Sequence, residues 1–121
     1  MRRSLSIPAL LLAAVVMLAV STPASARFPP VKFVSVRSPV PHGGMGLVTI
    51  QTTPQTFCTI TVTYKSGPSR AAGLVPKTSD NQGRITWTWK VGTRTTPGTW
   101  PITVECGQGD ITRLRTSFEV T

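Results

Sequence analysis

The sequence predicts an all-β protein built from two packed antiparallel sheets with about seven strands. Three observations predict this class. Apolar and polar residues alternate in short runs, 11 prolines and 10 glycines separate those runs, and no stretch of 11 residues holds the apolar spacing of a helix. Alternation turns one row of side chains in each strand toward a common core, so two sheets are expected to pack face to face.

The N-terminal residues are predicted to form a secretory signal peptide. A basic start at Met1–Arg3 precedes an apolar run of 14 residues, Ile7–Val20, and the small-residue pattern Ala24–Ala26 follows. A membrane-spanning helix needs about 20 apolar residues, so a retained anchor is the less favoured interpretation. We therefore expect a signal peptide over residues 1–26, no membrane anchor after cleavage, and one domain over residues 27–121.

The first half of that domain contains three predicted strands. In Val31–Arg37 the sequence does not show which side chains face the core, whereas Gly46–Thr52 places Val48 and Ile50 on one side of the strand. The third strand is Phe57–Lys65, and its apolar row consists of Cys58, Ile60, Val62 and Tyr64. A long connection over residues 66–77 follows, with a short edge strand expected near Gly73–Val75.

The second half begins with a turn at Ser79–Gly83, because Asp and Asn bond their own backbone and Gly tolerates a positive φ. Ile85–Val91 shows the clearest alternation. Thr96–Gly98 is predicted to be a type II turn, and the strands Thr99–Cys106 and Ile111–Val120 complete the domain. The predicted aromatic core comprises Tyr64, Trp87, Trp89 and Trp100, of which Trp100 is closest to a sheet end and most exposed.

The two cysteines are predicted to form a disulfide. Both Cys58 and Cys106 fall on the apolar faces of their strands, and a secreted chain with an even cysteine count is usually bridged. The closed loop of 49 residues would stabilise the fold by about 4 kcal/mol in the loop-entropy model. We expect this bridge to clamp the two layers.

Four segments resemble small immunoglobulin-like modules of secreted bacterial proteins: Tyr64–Ser69, Pro76–Thr78, Gly83–Gly92 and Thr95–Val104. The resemblance implies an immunoglobulin-like fold and an extracellular location, and it implies no ligand. The chain departs from antibody domains in two respects. Trp87 lies 29 residues after the first cysteine, and Val104 stands where those domains carry a corner tyrosine, so the strand order stays open.

The charge of the chain indicates an anionic partner. The net charge is +9, and removing Arg2 and Arg3 with the leader leaves 11 basic and 4 acidic side chains, or +7. Such a field attracts envelope polymers, anionic lipid headgroups or DNA, although scattered charge can also serve solubility alone. No nucleic-acid motif is present, and another extracellular protein is the remaining partner class. The candidate anion-binding residues are Arg70, Lys77, Arg84, Lys90, Arg94, Arg113 and Arg115.

The sequence offers little for catalysis. It contains one histidine, His42, in a loop without a nucleophile motif, and only four acids, so we expect no catalytic set, no metal site and no cofactor. The predicted function is therefore a secreted, non-catalytic binding or accessory module, located outside the cell or at its envelope. Two alternatives stay open: a secreted enzyme of unrecognised type, and a proteinase inhibitor that inserts its loop over residues 66–75 into a partner.

Overall fold

The computed structural model describes residues 28–121, so the predicted signal peptide lies outside the described residues. Residues 28–121 form eight strands and no helix. Six strands have five to nine residues and two have only two residues. The strands are β1 (Lys32–Val36), β2 (Met45–Gln51), β3 (Phe57–Tyr64), β4 (Gly67–Pro68), β5 (Lys77–Thr78), β6 (Arg84–Lys90), β7 (Gly98–Cys106) and β8 (Thr112–Val120).

The strands form two antiparallel sheets, which confirms the predicted fold class. One sheet has the order β1-β2-β6; the other has the order β4-β3-β7-β8, and β5 also pairs with β3. In constant-type immunoglobulin domains, strands A, B and E share one sheet and strands C, F and G share the other. Here β1, β2 and β6 stand in the positions of A, B and E, and β3, β7 and β8 stand in the positions of C, F and G. Within residues 28–121, no strand takes the place of D beside β6.

Alternation determines which side chains enter the core. Along β6 the buried positions are Ile85, Trp87 and Trp89, and the residues between them are exposed. The same period buries Val48 and Ile50 in β2 and alternate residues of β3 and β7. The space between the sheets is thus filled by Ile, Val, Trp and Phe side chains from both layers, as the sequence predicts.

The disulfide between Cys58 and Cys106 is confirmed, but its predicted role as a clamp between the two layers is wrong. The two residues are register partners on β3 and β7, which are neighbours in one sheet. Their Cα atoms lie 4.1 Å apart and both residues are fully buried. The bridge therefore joins two strands of the five-stranded sheet from its inner face.

Aromatic side chains connect the two layers instead. The indole Nε1 of Trp89, on β6, donates a hydrogen bond of 3.1 Å to the hydroxyl of Tyr64, on β3 of the opposite sheet. The Trp89 ring also meets Phe118 edge-on, with ring centroids 5.7 Å apart. Gly46 makes room for this indole, because a Cβ at position 46 would overlap the Trp89 ring. Trp100 is only half-buried, as predicted from its place near a sheet end.

The connection between β3 and β6 differs from the sequence prediction. The short edge strand predicted near Gly73–Val75 is wrong: Gly73 lies in a turn, and the two short strands are β4 and β5. The connection crosses from one sheet to the other over their open side. The indole of Trp87 donates a hydrogen bond of 2.8 Å to the Val75 carbonyl, and Gly73 lies against the Thr88 backbone. The segment thereby covers the outer edge of β6.

The predicted type II turn at Thr96–Gly98 is also wrong. The hydrogen-bonded turn lies earlier, where the Thr95 amide donates to the Gly92 carbonyl at 3.1 Å. Gly98 is already the first residue of β7, with a φ of +154°. The turn at Ser79–Gly83 is confirmed, because the Gly83 amide donates to the Asp80 carbonyl and Gly83 has a φ of +78°.

Candidate anion-binding face

The structure brings only some of the predicted basic residues together. Arg84 and Lys90 project from the outer side of β6, and Lys77 lies along the edge of the same strand. Arg113 and Arg115 belong to β8, on the opposite side of the sandwich. The other two stand apart: Arg70 lies in the connection between the sheets, and Arg94 lies in the loop between β6 and β7.

We use the term cationic face for the outer surface of the three-stranded sheet together with Lys77, a residue of β5 in the other sheet whose side chain reaches the edge of β6. Because Gly46, Val48 and Ile50 of β2 are buried, the intervening residues of that strand point outward. The outward positions of β6 follow in the same way from its buried residues. The basic residues of the cationic face are Lys32, Arg37, Lys77, Arg84 and Lys90, and each is exposed.

Two of these residues, Lys32 and Arg37, were missed by sequence reasoning. Lys32 is paired with outward-facing Gln51, so it also faces outward. The backbone amide of Arg37 donates to the Leu47 carbonyl, and its guanidinium donates to the Met45 carbonyl at 3.0 Å. A register shift at Val34 breaks the alternation of β1 between these two positions, which is why the sequence shows no facing for that strand.

The two outer faces differ sharply in charge. The strands β1, β2 and β6 contain three cations, Lys32, Arg84 and Lys90, and no aspartate or glutamate. Arg37, which follows β1, and Lys77 of β5 bring the charge of the cationic face to +5. The outer face of the other sheet carries Arg113 and Arg115 against Glu105 and Glu119, a sum of zero. One of these pairs is a direct ion pair, in which the Arg113 Nε donates to the Glu105 carboxylate at 2.7 Å. Excess positive charge is thus concentrated on one side of the molecule.

Hydrogen bonds position three of the five cations. The Nε of Arg84 donates to Gln51 Oε1 at 2.6 Å, and Gln51 is itself held by its Nε2, which donates to the Gln82 carbonyl. The ammonium of Lys77 donates to the Thr86 carbonyl at 2.9 Å, and the Arg37 guanidinium donates to the Met45 carbonyl. Lys32 and Lys90 make no side-chain hydrogen bond among residues 28–121, so both ammonium groups are available to a ligand.

Asp80 is the acid adjoining this face, in the turn before β6. The backbone amides of Arg84 and Gln82 donate to its carboxylate at 2.9 and 2.8 Å, and they hold the pKa of Asp80 below its ordinary value. The positive charge of Arg84 acts in the same direction with a smaller effect. Asp80 therefore stays ionised and caps the turn, and it offsets charge at only one end of the cationic face.

The dimensions of the cationic face suit an extended ligand. Arg84 and Lys90 are six residues apart on one strand, or about 20 Å, and the three strands span about 10 Å. Exposed Met45 and Val34 lie among the cations, with relative exposures of 47% and 42%. The hydroxyls of Thr49 and Thr86 bond each other at 2.9 Å across the centre of the face. The surface thus combines separated positive charges with a less polar middle.

The described residues contain no group of three His, Cys, Asp or Glu side chains that could hold a metal ion. His42 uses its Nδ1 to donate to the Thr121 backbone oxygen at 3.0 Å. Between residues 28 and 121, no helix has the length and apolarity to cross a membrane.

The segment over residues 66–75, considered as an inhibitory loop, is held on the sandwich at several points. The Ser69 amide donates to the Val62 carbonyl at 2.7 Å, and the Trp87 indole holds the Val75 carbonyl. Leu74 also packs against the core. These contacts place the segment on the body of the protein and do not favour its insertion into a partner.

Comparisons with known proteins give a distant structural likeness. No protein-family model matches the chain, and no curated protein matches it significantly. Among solved structures, the chain is similar to a β-glucosidase from Listeria innocua in complex with glucose, with a TM-score of 0.39 and 12% sequence identity. The likeness covers 76% of this chain and 16% of that enzyme chain. No activity is transferred from it to this chain.

Proposed function

We propose that this protein is a secreted, non-catalytic binding module that holds an anionic polymer of the cell envelope on its cationic face. The observation that carries the proposal is the division of charge between the two outer faces. Strands β1, β2 and β6 hold three cations and no acid, with Arg37 and Lys77 beside them, whereas β7 and β8 hold a balanced set. If positive charge served solubility alone, nothing would require it to be concentrated on one sheet.

Two further observations support a place outside the cell. Cys58 and Cys106 are bridged, and such bonds persist in oxidising compartments and are rare in the cytosol. The sequence also begins with the three-part pattern of a signal peptide. Together with the resemblance to extracellular immunoglobulin-like modules, these features favour an accessory role at the cell surface over a cytoplasmic one.

The geometry of the face favours a polymer over a compact ion. The five cations are spread over about 20 Å along the strands, so one small anion cannot reach them all. A chain with repeated negative charges can contact several in turn, and each contact is screened by salt over a Debye length of about 8 Å. Binding is therefore expected to be multivalent and to weaken strongly as ionic strength rises.

The experiment is a sedimentation assay of the purified mature protein with isolated bacterial cell wall, anionic phospholipid vesicles and DNA, each at low and high salt. We expect retention on cell wall at low salt and release at high salt, with weaker retention on the other two materials. Equal retention on all three would indicate non-specific attraction and contradict the proposal. Failure to sediment with cell wall at low salt would also contradict it.

A further inference from the structure

A second surface feature lies at one end of the sandwich, separate from the cationic face. It is an open depression of about 540 Å³ between the turn that joins β3 to β4 and the loop that joins β6 to β7. Its volume lies within the usual range for small-molecule sites. The lining residues are Tyr64, Lys65, Ser66, Gly92, Arg94, Thr95 and Thr96.

The loop that forms one wall of the depression is anchored at both ends. At its start, Val91 is fully buried and exchanges two backbone hydrogen bonds of 2.8 Å with Gly43 and Gly44. At its end, the Trp100 indole donates to the Thr96 carbonyl at 2.9 Å. Since loops held in this way lose little conformational freedom when they bind a ligand, the wall is preorganised.

Tyr64 lines the depression and is held there by its contacts with the core. Its hydroxyl oxygen accepts the Trp89 indole, so its own proton remains to be donated, and its ring is held edge-on against Trp100 at 6.3 Å. Phe118 contacts the other part of the ring at 6.2 Å. Burial raises the pKa of Tyr64, which keeps the hydroxyl protonated at neutral pH.

Two cations and three further hydroxyls complete the lining. Lys65 and Arg94 are exposed, one on each wall, and neither makes a side-chain hydrogen bond among residues 28–121. Ser66, Thr95 and Thr96 contribute alcohol groups, which can donate to or accept from the hydroxyls of a carbohydrate. An arginine presents a fork of N–H groups that matches the oxygens of a phosphate or carboxylate.

We infer that this depression binds a sugar or polyol that carries a phosphate or carboxylate group. The oxyanion lies between Lys65 and Arg94, and the ligand hydroxyls pair with Tyr64 and the hydroxyls of the loop wall. This site does not depend on the cationic face, because its residues are Tyr64, at the end of β3, and residues of the connections that follow β3 and β6. Its ligand is compact, whereas the cationic face suits an extended chain.

The test is a nuclear magnetic resonance titration of the mature protein with four probes: a glucose phosphate monoester, glucuronate, glucose and inorganic phosphate. The proposal predicts saturable shifts at the amides of Ser66, Gly92 and Thr95 with one or both anionic sugars. It predicts binding about tenfold weaker for glucose and for inorganic phosphate, since each lacks one half of the recognised chemistry. Preference for the phosphate ester or for glucuronate then identifies the anion.

Two double variants with equal loss of charge provide the control. Lys65→Gln with Arg94→Gln is expected to weaken binding of the preferred anionic sugar about tenfold or more. Lys32→Gln with Lys90→Gln removes two charges from the cationic face and should change that binding less than about twofold. All four side chains are exposed, so both variants are expected to fold.

Equal weakening by both double variants would overturn the inference, as would inorganic phosphate binding as tightly as the sugar phosphate. An absence of saturable shifts at the depression would also overturn it. Cell-wall sedimentation of the same variants reports on the cationic face alone, so the two proposals can fail separately.

Discussion

Tyr64 connects the two layers through a single hydroxyl group. Its oxygen accepts the Trp89 indole from the opposite sheet, while its ring packs against Trp100 and Phe118. Burial of the ring and hydroxyl disfavours the charged phenolate, and the indole hydrogen bond offsets this only in part, so the pKa of Tyr64 is raised. A side chain identified from the sequence as core volume thus also carries the polar link between the sheets.

We predict that this tyrosine titrates above its ordinary pKa of 10.0 in the folded protein. A raised folded-state pKa contributes stability that is fully present below the unfolded pKa and is lost as pH rises through the folded pKa. Unfolding free energy should therefore fall in the alkaline range above about pH 10. Because the chain contains one tyrosine, tyrosinate absorbance measures this group without interference from others. The same protein in denaturant should titrate at the ordinary value, and coincident curves for the two states would refute the prediction.

At the scale of elements, the connection between β3 and β6 depends on glycine at one position. Gly73 has a φ of +99°, and a Cβ there would collide with the Thr88 carbonyl oxygen. Gly109, in the loop between β7 and β8, has a similar φ of +95° but has open space around it. Alanine substitutions at Gly73 and Gly109 therefore separate the free-energy cost of a left-handed backbone from the cost of losing a close backbone contact.

We predict that Gly73→Ala lowers the unfolding free energy by about 3 kcal/mol and Gly109→Ala by about 1 kcal/mol. Both variants place a Cβ on a left-handed residue, but only the first also displaces the segment that covers the edge of β6. Urea denaturation with fluorescence of the three tryptophans gives both values. Equal losses for the two variants would show that the segment does not pack against β6 as described.

How far each element could be predicted depends on whether local alternation was intact. The strand β6 alternates without interruption, so its buried tryptophans followed from the sequence, and its bounds lie one residue before the predicted Ile85–Val91 at each end. The bulge at Val34 hid the facing of β1, and with it two of the five cations. The inward direction of Cys58 and Cys106 was predictable from the sequence. That their strands, β3 and β7, are neighbours in one sheet was not, because strand order depends on contacts between residues far apart in sequence.

At the scale of the whole molecule, the fold distributes the basic residues over two outer faces that differ in net charge. The sequence identified Arg84, Lys90 and Lys77 as candidate anion-binding residues, and the fold places them near Lys32 and Arg37. It also identified Arg113 and Arg115 as candidate anion-binding residues, but they lie on β8 of the other sheet, near Glu105 and Glu119. Net charge alone could not distinguish these groups, because the separation is made by which strands pair.

The direct measurement is the affinity for isolated cell wall of two double variants with the same net charge. Lys32→Gln with Lys90→Gln changes the cationic face, and Arg70→Gln with Arg115→Gln changes exposed residues elsewhere. None of these four side chains makes a hydrogen bond among residues 28–121. At about 1 kcal/mol for each cation close to an anionic surface, the first variant should bind at least about tenfold more weakly, and the second less than about threefold. Equal weakening of the two would mean that only total charge matters, and it would contradict a binding face on β1, β2 and β6.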